Sequence, residues 1–303
     1  MPTYEYHLVD VFTDSAFGGN QLAVFTNGAS VPPELMPRLA KELNLSETTF
    51  VLPPNNPANN FRLRIFTPDK ELPTAGHPTV GTNYVLAHLG MLRREGNPTR
   101  VVCEELVGDI PVTISYDEDS DDPAMIWMTQ HRPQFGPIIE DRTLVRQALS
   151  LPEEAIDSRY PVQVVSTGVP FLYVPLNTLA DAKRINLNAQ ACRQLLAPYD
   201  ADGIFVFTQE METEGSTVHS RMFAPGLGIT EDPATGIASG PLGAYLVRYG
   251  IVPSPDTHIV SEQGLEIGRP SYIHIEVVAD GGEYVAVRVG GQCHYMGRGQ
   301  FDL

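Results

Sequence analysis

The stretch RIFTP at positions 64–68, followed by ELPTAGH at 71–77, has a second copy further along this chain of 303 residues. The second copy reads RMFAP at 221–225 and EDPATGI at 231–237, so the two parts repeat at offsets of 157 and 160 residues. Self-similarity at a fixed distance is the sequence signature of a repeated structural unit. We therefore predict two like halves, each built around the frame R-x-F-x-P, a short loop and E-x-P-x-x-G.

A stretch without Asp, Glu, Lys or Arg follows the glycine of each copy, and it predicts a helix over 78–92 in the first half and over 238–247 in the second. A helix that is apolar on all sides must be enclosed on all sides, so each one is expected to run through the middle of its own curved sheet. The predicted strands are 4–11, 22–26, 49–52, 61–67, 100–104, 110–116 and 125–129 in the first half, and 163–166, 171–175, 203–208, 217–224, 258–262, 273–278 and 284–289 in the second. Amphipathic helices are predicted outside the sheets at 33–43 and 188–196. The predicted fold class is α+β, with two pseudo-symmetric domains, each a curved, barrel-like sheet around a central helix.

The boundary between the halves is predicted in the Pro-rich segment HRPQFGP at 131–137, where regular periodicity breaks. This places an N-terminal domain at 1–130 and a C-terminal domain at 131–303, with the last strand able to pack on the N-terminal half. We expect the two halves to face each other across a cleft, because interfaces between domains are a favoured place for ligand sites.

The composition limits the classes of function. A hydrophobic content of 42% is enough to give both halves a core, and the three cysteines, Cys103, Cys192 and Cys293, have neither metal-ligand nor redox spacing. No stretch has the length of a membrane span or the pattern of a signal peptide, so we expect a cytoplasmic protein with no membrane partner. The formal net charge of −17 repels a phosphate backbone and argues against a nucleic-acid partner.

The two E-x-P-x-x-G loops each lead into a predicted helix, where unpaired backbone N–H groups and the helix dipole favour an anion. A pair of such loops suits a small carboxylate-bearing or phosphate-bearing substrate. The alternative is that Gly76 and Gly236 only permit tight turns. His77 follows Gly76 directly and could donate a hydrogen bond or a proton at this site, or else serve as a helix cap. Asp232 stands where the first copy has Leu72, and its alternative role is that of an N-cap or turn aspartate.

Glu47 lies in the segment LNLSETTF at 43–50, where a predicted helix ends and a strand begins. Loops between such elements commonly hold functional residues. In a partly apolar cleft the charged form of a glutamate is disfavoured, which suits the side chain to moving protons. The alternative is a glutamate that faces solvent.

Several known chemistries are excluded by missing residues. Epimerases with two facing thiols need a cysteine in each half, but Ala75 and Thr235 occupy the equivalent loop positions and 16–20 contains no cysteine. The chain has no G-x-S-x-G elbow and no Walker-type loop, and the Gly18-Gly19-Asn20 turn is not followed by a predicted helix. No cofactor is therefore indicated. The dispersed histidines predict no metal site.

These motifs together resemble those of the PhzF-like proteins, the phenazine-biosynthesis isomerase family, within the diaminopimelate-epimerase-like fold. The resemblance runs nearly from end to end. The segments that carry it are VDVF at 9–12, GN at 19–20, NLSETTFV at 44–51, RIFTP at 64–68, ELP at 71–73, AGHP at 75–78, GT at 81–82, SRMF at 220–223, EDPATG at 231–236 and G-x-E-x-G-R-P at 264–270.

The resemblance implies a fold of two similar domains, a homodimer, and a cofactor-free isomerisation in which a glutamate takes a proton from one carbon and returns it elsewhere. In the phenazine enzyme the substrate is trans-2,3-dihydro-3-hydroxyanthranilate. Glu47 corresponds to that glutamate, and His77 and Asp232 match the histidine and aspartate beside the substrate. The predicted substrate-binding or anion-binding residues are Ser46, Gly76, Thr235, Gly236 and Ile237. Ile237 is a departure, because the phenazine enzyme has a serine there and a hydroxyl donor is lost.

Two hypotheses follow from these residues. The first is an isomerase in which Glu47 is the general acid and base. The second is a metabolite-binding protein that keeps the cleft without turnover, and the change of a serine to Ile237 is the feature that favours it.

Overall fold

The computed structural model describes residues 1–253, 257–280 and 283–303. The chain divides into two compact units, one of residues 1–129 with 290–303 and one of residues 130–289. Both are dominated by β-sheet, so the predicted mixture of helices and sheets is confirmed. Over the described residues, every helix is too short or too polar to cross a membrane.

The first unit consists of a run of mostly antiparallel strands with two helices. Its elements are β1 (Thr3–Val11), β2 (Asn20–Phe25), α1 (Met36–Leu43), β3 (Glu47–Leu52), β4 (Phe61–Phe66), β5 (Glu71–Leu72), α2 (Gly76–His88), β6 (Thr99–Glu105), β7 (Gly108–Tyr116), β8 (Pro123–Gln130) and β18 (Cys293–Asp302). The strands pair in the order β18–β1–β2–β3–β4–β6–β7–β8, with β5 beside β4. The β2–β3 and β4–β6 pairs are parallel, and each needs a crossover that contains a helix.

The second unit repeats this sequence of pairings. Its elements are β9 (Gln134–Ile138), α3 (Thr143–Leu149), β10 (Gln163–Ser166), β11 (Pro170–Pro175), α4 (Leu179–Lys183), α5 (Ala189–Leu196), β12 (Gly203–Thr208), β13 (Val218–Ala224), β14 (Ile229–Asp232), α6 (Gly236–Arg248), β15 (Thr257–Gln263), β16 (Ser271–Asp280) and β17 (Glu283–Gly291). The strands pair in the order β9–β10–β11–β12–β13–β15–β16, with β14 beside β13. The parallel pairs are again the third and fifth in the order, β11–β12 and β13–β15.

The helices that follow the repeated loops begin earlier than their sequence predicted. We predicted starts at Pro78 and Ala238, whereas α2 begins at Gly76 and α6 at Gly236. Proline is tolerated in the first turn because an N–H there has no partner within the helix, so Pro78 does not mark the first residue. The first twelve residues of α2 are all buried, and the helix packs on β1, β2, β3 and β7.

Small residues allow this burial. A Cβ atom added to Gly81 would lie 2.6 Å from the side chain of Val11 and 2.8 Å from that of Leu22. The backbone of α2 therefore lies directly against β1 and β2, which is why an uncharged, glycine-containing stretch was needed at this position.

Some elements were missed or misjudged from the sequence. The segment 131–137, predicted as a link, contains the start of β9, because proline is compatible with an edge strand. No sequence pattern predicted the strands β5, β14 and β18 or the helices α3 and α4. The longest of these, β18, contains two glycines and is stabilised by pairing with β1 over its whole length.

The repeated motifs make the same interactions in each unit. Arg64 donates two hydrogen bonds to Glu71 (2.7 and 2.8 Å), and Arg221 donates two to Glu231 (2.8 and 2.7 Å). In both units this bidentate pair connects the strand before the loop to the start of the loop. The arginine and glutamate of the frame therefore have a structural role.

Candidate active site

Glu47 is the first residue of β3 and is placed by the turn after α1. That helix ends at Leu43, and Asn44 adopts a left-handed conformation (φ 53°) that terminates it. In the sheet, Glu47 lies beside Leu22 of the parallel strand β2. Glu47 is only 8% exposed, so it is not a solvent-facing glutamate. Burial of a carboxyl group is costly unless polar groups surround it, so its neighbours determine what it can do.

His77 is the polar side chain next to Glu47. The Nε2 atom of His77 lies 3.1 Å from Oε2 of Glu47, and both side chains are buried. Burial lowers the pKa of His77 to about 3, although a hydrogen bond with the backbone of Gln21 opposes this shift. At neutral pH the imidazole is therefore uncharged, and the contact is between a carboxyl group and a neutral ring.

In the second unit, Asp232 and Thr235 form the corresponding loop. The hydroxyl of Thr235 donates a hydrogen bond to Oδ2 of Asp232 at 2.6 Å, and both residues are buried. Gln263 joins them, since its Nε2 donates to the carbonyl oxygen of Asp232 at 2.7 Å. The N-cap residue of α6 is Thr235, so Asp232 is not the helix cap. The Asp232 carboxyl group is held by the loop itself.

The predicted anion-binding glycines begin the two buried helices. Gly76 is the first residue of α2 and Gly236 is the first residue of α6, and neither helix has a hydrogen bond from a side-chain cap. The N-cap of α2 is Ala75, so His77 is not a cap either. Ser46 and Ile237 are partly exposed beside Glu47 and Gly236 respectively. The structure thus brings Glu47, His77 and Gly76 together in the first unit, and Asp232, Thr235 and Gly236 together in the second.

Sequence reasoning missed two buried residues that contact these loops, Glu105 and Gln263. Each is the last residue of the strand after its loop helix, β6 or β15. The signal was present, because Glu104-Glu105 and Glu262-Gln263 stand at an offset of 158 residues, close to that of the repeat. One copy has two glutamates and the other has a glutamate followed by a glutamine. This partial match was too weak to recognise without the strand pairing.

A cavity of about 710 Å³ also lies in the first unit, lined by polar residues that include Arg62, Glu104 and Asp109. Neither Glu47 nor His77 lines this cavity. The volume of that cavity therefore does not locate the candidate site, which is defined by the buried pair of ionisable groups.

Two buried histidines are expected to differ in charge at pH 7, and NMR can measure this. Burial opposes the charged form of His219, but hydrogen bonds to Glu262 and Glu266 (both 2.8 Å) outweigh it and raise the pKa of His219 to about 9. Side-chain ¹⁵N shifts should therefore report His77 as neutral from pH 5 to 8 and His219 as protonated. A titration of His77 with a midpoint near 6.5 would contradict the assignment of a neutral ring beside Glu47.

Comparison with known proteins gives one consistent family. The model of the family described as "Phenazine biosynthesis-like protein" matches residues 9–299. An uncharacterized isomerase of Mesorhizobium japonicum is 36% identical over 100% of both chains. The trans-2,3-dihydro-3-hydroxyanthranilate isomerase of Pseudomonas fluorescens is 32% identical, over 99% of this chain and 100% of its own. The crystal structure of a PhzF-family phenazine biosynthesis protein from Bacillus anthracis matches with a TM-score of 0.90 and 27% identity over 100% of both chains.

Proposed function

Because this chain is an isomerase that belongs to the PhzC-PhzF family of phenazine biosynthesis-like proteins, we propose that it moves a proton within a small carboxylate-bearing metabolite. In this proposal Glu47 is the general acid and base and no cofactor takes part. The observation that carries the proposal is the buried Glu47 carboxyl group against a neutral His77 ring.

A neutral neighbour suits a carboxyl group that must both take and return a proton. An imidazolium at 3.1 Å would favour the carboxylate and make Glu47 a poor acid for the second half of the reaction. An uncharged ring lets Glu47 change charge without breaking an ion pair. The one N–H of the neutral ring is directed to the backbone of Gln21, so Nε2 of His77 can accept a hydrogen bond from the protonated form of Glu47.

The carboxylate of the substrate is proposed to bind at the start of a buried helix. The first N–H groups of an α-helix have no partner within that helix, and the dipole favours negative charge there. Gly76 opens α2 only one residue before His77, which lies against Glu47. An anion at Gly76 would therefore be close to the group that moves the proton, as general acid–base catalysis requires.

The loop of the second unit is proposed to bind substrate too, through Asp232, Thr235, Gly236 and Ile237. Support comes from the repeat, because this loop leads into α6 in the same way that the loop of the first unit leads into α2. Ile237 has no side-chain donor, so we propose a substrate that lacks the polar group matched by a serine in the phenazine enzyme. Ser46, beside Glu47, is a further proposed contact.

The finer features of the fold are proposed in the same way. The shared order of pairings supports two pseudo-symmetric, diaminopimelate-epimerase-like domains, at 1–130 and 131–303 with the last strand packed on the first, each with a curved, barrel-like sheet around a central helix. The family resemblance supports a cytoplasmic homodimer.

A screen that measures binding and conversion separately tests the proposal. Purified protein is mixed with trans-2,3-dihydro-3-hydroxyanthranilate and with other cyclic carboxylic acids, and each mixture is assayed by thermal unfolding and by NMR of the small molecule. We expect at least one acid that raises the melting temperature to be converted to an isomer. Acids that stabilise the protein but all remain chemically unchanged would support the binding protein instead.

A further inference from the structure

In each unit the backbone N–H of the residue before the loop glycine faces a side chain from the strand that follows the helix. In the second unit the N–H of Thr235 donates to Oε1 of Gln263 at 3.1 Å. In the first unit the backbone N–H of Ala75 is close enough to the carboxyl group of Glu105 to lower its pKa. Ala75 and Thr235 are the N-cap residues of α2 and α6, and neither uses its own side chain as a cap. Glu105 and Gln263 therefore perform the same contact in the two units.

The strand pairing confirms that these two positions are equivalent. In the first unit β4 and β6 are parallel, with Arg62 beside Glu104. In the second unit β13 and β15 are parallel, with His219 beside Glu262. The next residue of each strand is Glu105 in the first unit and Gln263 in the second, and each lies beside the loop of its own unit. The first unit therefore has an acid where the second has an amide.

The hydrogen count at Glu105 favours a proton on its carboxyl group. The hydroxyl of Thr79 lies 2.6 Å from the carbonyl oxygen of Ala75 and also contacts Oε1 of Glu105. A hydroxyl has one hydrogen, so it cannot donate to both oxygens. The equivalent hydroxyl, that of Ser239, donates to the carbonyl oxygen of Thr235 at 2.9 Å. If Thr79 does the same, Glu105 must be the donor to Thr79.

The other oxygen of Glu105 fits the same state. Among residues 1–253, 257–280 and 283–303, no group hydrogen-bonds Oε2 of Glu105. An unsatisfied oxygen of a neutral acid costs less than one that carries half of a buried negative charge. Glu105 is 7% exposed, so water does not screen that charge.

We propose that Glu105 is a positioning residue that acts as a neutral carboxylic acid and holds the loop before Gly76 and His77, as the amide of Gln263 holds the loop of Asp232. This inference rests on the proposed function only in assigning those loops to the substrate. The contacts themselves are independent of any reaction.

The electrostatic surroundings agree with this role. Burial raises the pKa of Glu105 to about 7, and interactions with Thr74, Thr79 and the backbone of Ala75 only partly oppose it. The other charged groups on the wall of the neighbouring cavity are Arg62, Arg64, Glu71, Glu104 and Asp109, and the thiol of Cys103 lies on the same strand. Arg64 is paired with Glu71, and Arg62 donates to Asn55. Burial raises the pKa of the Cys103 thiol, so it stays neutral.

A raised pKa makes stability depend on pH in a definite direction. The folded state holds this proton up to about pH 7, whereas an unfolded glutamate releases it near 4.5. Stability from Glu105 is therefore complete below pH 4.5 and is lost as the pH rises towards 7. Because of Glu105, the equilibrium constant for folding should fall by roughly a hundredfold between pH 4.5 and pH 7.

The test compares Glu105→Gln, Glu105→Ala and Gln263→Glu with the wild type by urea unfolding between pH 4.5 and 8. Glu42→Gln is the matched control, because it removes an exposed carboxylate of the same unit. We expect Glu105→Gln to flatten the pH profile, Gln263→Glu to steepen it and Glu42→Gln to leave it unchanged. A wild-type slope in Glu105→Gln would overturn the proposal, as would equal destabilisation by glutamine and alanine at every pH.

Two NMR readouts keep the proposal testable if a variant does not fold. The ¹³C shift of the wild-type Glu105 carboxyl should report a protonated acid at pH 5.5 and titrate near 7, and a carboxylate at pH 5.5 would overturn the proposal. The ¹⁵N shifts of His77 should change in Glu105→Ala and return in Glu105→Gln. Neither readout uses a substrate, so failure here is distinct from failure of the proposed function.

Discussion

Replacing Glu47 with glutamine should lower the turnover number by roughly 10²–10⁴-fold, which is the usual contribution of a positioned general acid–base group. Glutamine has nearly the same size and can hydrogen-bond the neutral ring of His77, but it cannot take up a proton. Binding should therefore persist, so the fall should appear in kcat and much less in KM. Turnover is measured with the acid that the screen identifies.

The control for this variant is Glu42→Gln, which changes an exposed glutamate on α1, only five positions away. It should keep wild-type turnover. Thermal stabilisation by the same acid should be similar in the wild type and in Glu47→Gln. Full turnover in Glu47→Gln would remove Glu47 from the mechanism, whereas loss of binding would make it a substrate-binding residue only.

Replacing Arg221 with methionine should lower the free energy of unfolding by about 3–5 kcal/mol, the cost of breaking a buried ion pair. The Arg221 and Glu231 side chains are 7% and 11% exposed, and Arg221 also donates to the carbonyl oxygen of Ala182 at 2.7 Å. Methionine fills much of the space but leaves the Glu231 carboxylate without its bidentate partner. Urea unfolding at pH 7 measures the change.

The repeat supplies a matched comparison in Arg64→Met. Arg64 and Glu71 make the same bidentate contact, but their side chains are 25% and 28% exposed, so water can solvate the remaining carboxylate. The cost should be clearly smaller than that of Arg221→Met. Adding Glu231→Leu to Arg221→Met should recover part of the loss, because no unpaired charge then remains buried. Equal costs at the two arginines would contradict the role given to burial.

The repeated frame predicted much of the fold because it joins residues that interact locally. Arg64 and Glu71 are seven positions apart, and their strand, loop and helix follow one another directly, so the motif alone indicated where the buried helix begins to within two residues. The family and the class of enzyme followed from the same segments, and the comparisons confirm both.

Contacts between distant segments could not be predicted in this way. Glu47 and His77 meet because β3 packs on α2, and Gly81 lets the backbone of that helix lie close to the neighbouring strands β1 and β2. Glu105 lies beside its loop because β6 pairs in parallel with β4, and no local sequence pattern predicts that pairing. Similarly, β18 forms because β1 pairs with it across nearly the whole chain. In each case tertiary pairing decided what local propensity left open.

Deuterium incorporation from D₂O is the most direct test of proton transfer by Glu47. We predict that the wild type places solvent deuterium on the carbon that gains the proton, since a carboxyl group that holds the proton between the two steps can exchange it with solvent. Glu47→Gln should lose this incorporation while it still binds the acid. Incorporation that continues undiminished in Glu47→Gln would contradict the account.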